Sequence, residues 1–235
     1  MNTSVTATAR LLGAGLRALL VLTAICGVLY PLALTGAAQT LFPGKADGSE
    51  IEDQGGRVVG SSLIGQTYTL PGGGPEEAAR PDLRWFQPRP SHGLGANSVN
   101  TRYTLLLSGA TNRSADNGAV DGGCPKDAEG GTLCAQVTAA QRAVVADNST
   151  ATYRVRPEAV PADAVTSSGS GLDPHISPAY AALQVHRVAE RNTLDVQRVE
   201  QLVRDHTEGR TLGFIGEPRV NVLELNTALT SLIQS

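Results

Sequence analysis

The sequence predicts an α+β domain carried on a single membrane helix. Three observations point there. An uncharged, apolar stretch lies near the start, from Ala18 to Gly44. The middle holds short β-prone runs broken by Gly. The last third carries apolar residues at helical spacing. Strands first and helices later are the pattern of an α+β domain.

The chain has 235 residues, enough for one domain and an appendage. Charged residues make up 17% and aromatics 4%, so a core must be built mostly from Val, Leu, Ile and Ala. Net charge is −3, and of 19 basic residues only Lys45 and Lys126 are Lys. No polybasic block exists, which argues against nucleic acid as a partner.

The apolar heart "ALLVLTAICGVLYPLAL" covers Ala18 to Leu34. A membrane helix takes about 20 mainly apolar residues, reached by including the small residues up to Ala38. Arg10 and Arg17 precede the run, whereas Lys45 stands among Asp47, Glu50, Glu52 and Asp53 beyond it. The positive-inside rule then predicts a cytoplasmic segment 1–16, a transmembrane helix 17–38 and an extracytoplasmic body 39–235. A cleaved signal peptide fits the same stretch, with "GAAQ" at Gly36–Gln39 as its cut site. That alternative describes a secreted, stand-alone binding protein. Either way the body is exported, and an oxidising compartment favours a disulfide between Cys124 and Cys134, which bracket "CPKDAEGGTLC".

Along the exported part, "GRVVGSSLIGQTYTL" (56–70) predicts strands and turns. "PGGGPEEAARPD" reads as a loop, and about 108–135 as a Gly-rich loop insertion holding the Cys pair. Ser177 is placed to cap a helix and Pro178 suits its first position. Ala181, Ala182, Val185, Val188 and Ala189 form one stripe of that helix. A second helix is expected over about Leu194–His206, stopped by Gly209. "TLGFIG" is a strand candidate. "NVLE" at Asn221–Glu224 opens a third helix with Val222, Leu225, Leu229 and Leu232 on one face.

The stretch "SGSGLDPHISP" (168–178) groups Ser, Asp and His, but a catalytic triad needs these brought together by the fold, and no G-x-S-x-G elbow is present. His92, His175, His186 and His206 contain no H-x-x-x-H pair for zinc. Neither a catalytic residue nor a metal ligand is assigned. Turn chemistry explains the stretch. Gly169 and Gly171 supply backbone freedom, Asp173 accepts local N–H groups, Pro174 fixes φ, Ser177 caps, and His175 is a hydrogen-bonded positioning residue. Both exported sequons, at Asn112 and Asn148, are read as chance.

These blocks together resemble a family: "YPLALTGAAQTLFPGKADGSEI" (30–51), "GSSLIGQTY" (60–68), "WFQPRPS" (85–91), "SGSGLDPHISPAYAALQVHRVA" (168–189) and "HTEGRTLGFIGEPRVNVLELN" (206–226). They look like the C subunit of the Kdp-type potassium-transporting ATPase, in family order across most of the chain. The resemblance implies an uncleaved N-terminal membrane helix in the lipid bilayer of a bacterial cell membrane. It implies a complex that imports K+ at high affinity using ATP. A channel-like subunit passes the ion, a P-type ATPase subunit hydrolyses ATP, and a small single-span subunit accompanies them. The C subunit has no catalytic site of its own and is described as raising the nucleotide affinity of the ATPase subunit. An ATP contact falls on Gln184, where "SPxxAxxQxxRVA" places the family's Gln. The topology sets Gln184 outside, away from cytoplasmic ATP, and leaves an alternative. The external domain would sit over the mouth of the channel-like subunit, with Gly27 and Gly36 letting the membrane helix pack closely. Asp47 in "FPGKADGS", the loose "SGATNRSADN" block and the Cys124–Cys134 insertion depart from the family pattern.

Overall fold

The structure, a computed structural model, describes residues 3–70, 80–91, 108–109, 124–125 and 132–234. Of the sequence expectations, His92, Asn112 and most of the 108–135 insertion lie outside the described residues. The chain divides into two compact units, Met1–Glu50 and Ile51–Ser235.

The first unit is helical: α1 (Thr3–Ala24), a π-helical turn (Ile25–Leu29), α2 (Tyr30–Leu41) and the short α3 (Pro43–Ala46). The π turn has a local cause. Pro31 carries no N–H and cannot complete an α-type bond, and the Tyr30 N–H reaches Ile25 O, five residues back. The apolar stretch runs from Val5 to Leu41, 37 residues, and is long and apolar enough to cross a membrane. At 1.5 Å per residue that is about 55 Å, against a hydrocarbon core of about 30 Å. Residues 5–37 are all exposed. An apolar helix open on every side is unfavourable in water, and lipid or partner helices are what it suits.

The second unit is the α+β body. Strands β1 (Glu50–Glu52) and β2 (Val58–Ser61) form a two-stranded sheet. A second sheet has the order β3 (His175–Ile176), β5 (Arg219–Asn221), β4 (Thr207–Glu208), all antiparallel. Its register pairs Ile176 and Thr207 with the same central residue, Val220. Around it pack α4 (Leu133–Asn148), α5 (Pro178–Asn192), α6 (Val196–Asp205) and α7 (Val222–Gln234). The stripe expected on α5 is buried at Ala181, Val185, Val188 and Ala189, but Ala182, expected with them, is exposed at its edge; α6 buries Val199 and Val203 and α7 buries Val222, Leu225 and Leu229.

Caps agree with the turn chemistry. Ser177 Oγ accepts from Tyr180 N at 3.0 Å, with Pro178 at the first helical position. Asn221 Oδ1 accepts from Leu223 N (3.1 Å) and Glu224 N (3.3 Å), opening α7. Three local readings differ. Helix α4 begins inside the expected 108–135 insertion, with Thr132 as its cap. Helix α6 ends at Asp205 with His206 at its C-cap, because β4 starts at Thr207, so Gly209 is not its stop. "TLGFIG" is no named strand. It is a tight turn closed by an isolated bridge between Thr211 and Ile215.

Two buried tyrosines make the body alkali-sensitive. Burial pushes the Tyr68 hydroxyl well above its ordinary 10.0, and pushes Tyr180 up to about 12. The folded state keeps protons that the unfolded chain releases near pH 10. Stability from these groups is therefore complete below pH 10 and is lost as pH rises toward 12, on the order of 2 kcal/mol for Tyr180. Urea unfolding of the detergent-solubilised chain from pH 8 to 12, with tyrosinate absorbance followed in parallel, is expected to show that loss. A flat profile up to pH 12 refutes it.

Candidate functional site

Three polar side chains from α5 and α7 grip one irregular segment, residues 83–87, which begins in a turn closed by Trp85 N donating to Asp82 O (3.1 Å). Asn226 Oδ1 accepts from Phe86 N (2.9 Å), and its Nδ2 donates to Phe86 O (2.9 Å). Gln184 does the same one residue on, accepting from Gln87 N (2.7 Å) and donating to Gln87 O (3.1 Å). Arg187 donates through Nη1 to Leu83 O and to Trp85 O (2.9 Å). Its Nη2 donates to Gln184 Oε1 (2.6 Å) and its Nε to Asn148 Oδ1 (2.8 Å). Phe86 and Gln87 thus have both backbone groups satisfied by side-chain amides. All four polar residues are buried, Gln184 at 0% exposure. Their mutual satisfaction makes that burial affordable in physical terms, since an unpaired buried amide or charge is costly. Asp147, beside Asn148 on α4, has its pKa raised by burial, with the Arg187 charge acting against the rise.

The same segment is tied at both ends. At its start, Asp82 pairs with Arg84 (2.6 Å), which holds the Asp82 carboxyl below its ordinary range against the opposing effect of burial. At its end, Arg89 reaches the 166–175 loop. It donates to Asp173 Oδ2 (3.1 Å), Thr166 O (3.3 Å) and Ser167 O (3.3 Å). Ser168 N donates to Pro90 O (3.1 Å).

The 168–178 stretch is a turn-rich loop that leads into α5. Gly171 has φ +71, a left-handed position, whereas Gly169 does not and has open space around it. Asp173 Oδ1 accepts from His175 N (3.0 Å), and the His175 ring lies 3.5 Å from the same oxygen. Burial raises the Asp173 pKa, but the His175 and Arg89 interactions outweigh it, so the group ends below its usual value. Pro174 O accepts from Val222 N (3.0 Å) and so joins this loop to α7. Ser177 also donates through Oγ to Asp163 Oδ1 (2.8 Å). Ser170 Oγ accepts from Leu172 N (3.1 Å). These residues are brought together with Arg89, while Gln184 belongs to the neighbouring grip on 83–87. Cys124 and Cys134 are disulfide-bonded, with Cα atoms 5.0 Å apart. Among the described residues, no group of three or more His, Cys, Asp or Glu is placed to hold a metal ion.

Sequence reasoning missed Arg187, Asn226, Asn148 and Arg89. A signal existed for one of them. Asn226 stands four residues after Val222 and so beside the expected α7 stripe, whereas Arg187 lies away from the expected α5 stripe, on the side of Tyr180 and Leu183. A polar residue on the inward face of an amphipathic helix must bond something.

Comparison with known proteins decides the family. The family described as "KdpC: K+-transporting ATPase, c chain" matches residues 12–231. The chain belongs to the KdpC family. Similar relatives are the potassium-transporting ATPase KdpC subunits of Streptomyces avermitilis, 64% identical over 99% of both chains, and of Streptomyces coelicolor, 64% identical over 99% of this chain and 97% of that one. The subunit from Gemmatimonas aurantiaca is 46% identical over 92% of each. As a KdpC subunit the chain is an accessory part of the Kdp P-type ATPase complex, with other Kdp subunits as its partners. Its N-terminal apolar helix fits a single-pass membrane anchor.

Proposed function

We propose that the body, residues 51–235, stands outside the cytoplasm over the ion entrance of the channel-like subunit, and that it serves assembly and coupling of potassium import without hydrolysing ATP itself. The observation that carries this reading is the family match over 12–231 on a chain whose apolar N-terminal helix precedes a folded α+β unit. The orientation is supported by Arg10 and Arg17 toward the N-terminal end of the apolar helix against one Lys, Lys45, beyond it. Gly27 and Gly36 offer small surfaces for packing against a partner helix. Nucleotide belongs, in this reading, to the P-type subunit, and any effect of this chain on nucleotide affinity is transmitted by coupling. Gln184 supports that division, because its amide is enclosed and bonded to Gln87 and Arg187.

Truncation after residue 50, with the anchor retained in the whole complex, tests the proposal. Apparent potassium affinity is expected to weaken at least about tenfold, the equivalent of roughly 1.4 kcal/mol, and ATPase activity to lose its dependence on potassium. Uptake with unchanged affinity and coupling would overturn it.

A further inference from the structure

At the π turn of the apolar helix one backbone carbonyl has no helical donor. In an α-helix Cys26 O accepts from Tyr30 N, but here that N–H reaches Ile25 O instead. The donor five residues on, which a π-helix uses, is at Pro31, and Pro has no N–H. Cys26 O is therefore open on both counts. The backbone around it is bare. Cys26 and Gly27 are exposed, and a Cβ added at Gly27 would meet only Thr23 Cγ2, at 3.9 Å.

The same face carries a second open polar group. Thr40 donates its hydroxyl to Gly36 O (2.7 Å), four residues back, which is how a helix absorbs a hydroxyl. The Thr23 hydroxyl makes no such bond among the described residues. Thr23 and Cys26 stand three apart and so share a face.

Depth makes this openness unfavourable. Arg17 and Lys45 bound the uncharged stretch 18–44. A hydrocarbon core of about 30 Å takes about 20 helical residues. Every window of that length between 18 and 44 includes position 26. In the core no water reaches a carbonyl, and a Pro in a membrane helix is tolerated where neighbouring side chains satisfy the group it frees.

We infer that Cys26 O accepts a hydrogen bond from a hydroxyl or carboxamide side chain (Ser, Thr, Asn or Gln) on a membrane helix of a partner subunit. The inference rests on the membrane-anchor reading above and names a polar contact within it. Charge selects the occupant. An open carbonyl is a partial negative site and takes a donor, which acyl chains lack. A neutral donor is favoured over Lys or Arg, because a full charge is unfavourable at that depth. A parallel second copy would set Gly27, Val28 and Leu29 at this level, and none of them carries a hydroxyl or amide. Gly27 leaves room for a partner helix to come close.

Solid-state NMR of isotope-labelled cysteine carbonyls tests the inference. Cys26 is a free cysteine, whereas Cys124 and Cys134 are disulfide-bonded, so its reduced side chain identifies its signal. Cys26→Ala supplies the blank. The labelled full chain is compared alone in bilayers and reconstituted there with unlabelled partner subunits. The Cys26 carbonyl signal is expected to move downfield in the complex, the direction that hydrogen bonding produces. The same position in both samples would overturn the inference, including the case where water or a second copy already bonds the carbonyl in the chain alone. The second arm uses Pro31→Ala, which supplies the missing N–H and lets the helix satisfy its own carbonyls. The displacement between the two samples is expected to vanish. A displacement of the same size in this variant would also overturn the inference, because it would report on packing and not on a bond. The two readings fail separately. A chain that leaves the membrane in alkaline carbonate refutes the anchor. A chain that stays there, with its Cys26 carbonyl unmoved by partner subunits, refutes the hydrogen bond alone.

Discussion

Replacement of Arg187 by Met is expected to lower stability by about 3–5 kcal/mol, the range for breaking a buried charged network by removing one partner. The physical reason is the number of acceptors that lose a charged donor at once. Leu83 O, Trp85 O, Asn148 Oδ1 and Gln184 Oε1 all accept from this one guanidinium. Asp147 also loses the positive charge that counters its burial. Met matches the volume, so the loss reports on bonding more than on a cavity. Arg187→Lys is expected to recover little, since one ammonium lacks the fork that serves carbonyls and amides on several sides. Thermal unfolding of the full chain in detergent gives the measurement. At about 2–4 °C per kcal/mol for a domain of this size, the midpoint falls by about 10 °C. A loss under about 1 kcal/mol would show that the network relaxes easily and that the 83–87 segment is held by other means.

How much of this was legible before the fold was seen differs by element, for physical reasons. The start of α5 was readable because Ser177 and Pro178 act locally: a side-chain oxygen two or three residues from the N–H it satisfies, and a ring that fixes φ. The start of α7 was readable from Asn221 on the same grounds. Helix α4 was not, because "LCAQVTAAQRAVVADN" carries a narrow apolar face and buries only Cys134, Val144 and Asn148. The Leu–Phe–Ile run at 212–215 looked like a strand from its residue types. Its Gly residues at positive φ turn it back on itself instead. The grip on 83–87 depends on pairs about 100 to 140 residues apart, such as Gln184 with Gln87 and Asn226 with Phe86. No local pattern encodes such a pairing. What the sequence does carry is the anomaly of Gln184 and Asn226 beside apolar stripes, which announces a buried polar network without saying where its partners lie.

Gln184→Ala bears most directly on function. It is expected to destabilise the chain by about 2–4 kcal/mol. It strips Gln87 of both backbone partners and Arg187 of one acceptor, and it leaves a void at a residue of 0% exposure. A direct nucleotide contact predicts the opposite pattern: unchanged stability and weakened nucleotide binding by the purified complex. Measuring unfolding and nucleotide affinity on the same preparation separates the two, and retained stability would sink the structural role. The partner variant Asn226→Ala sharpens the comparison, because Asn226 serves the adjacent residue Phe86 in the same way. Once either amide is gone, the segment between them can shift and the second amide has less to hold. The double variant is therefore expected to lose less than the sum of the single losses, by about 0.5–3 kcal/mol, as found for residues sharing one network. Strict additivity would mean that Phe86 and Gln87 are held independently, and that the segment is not gripped as a unit.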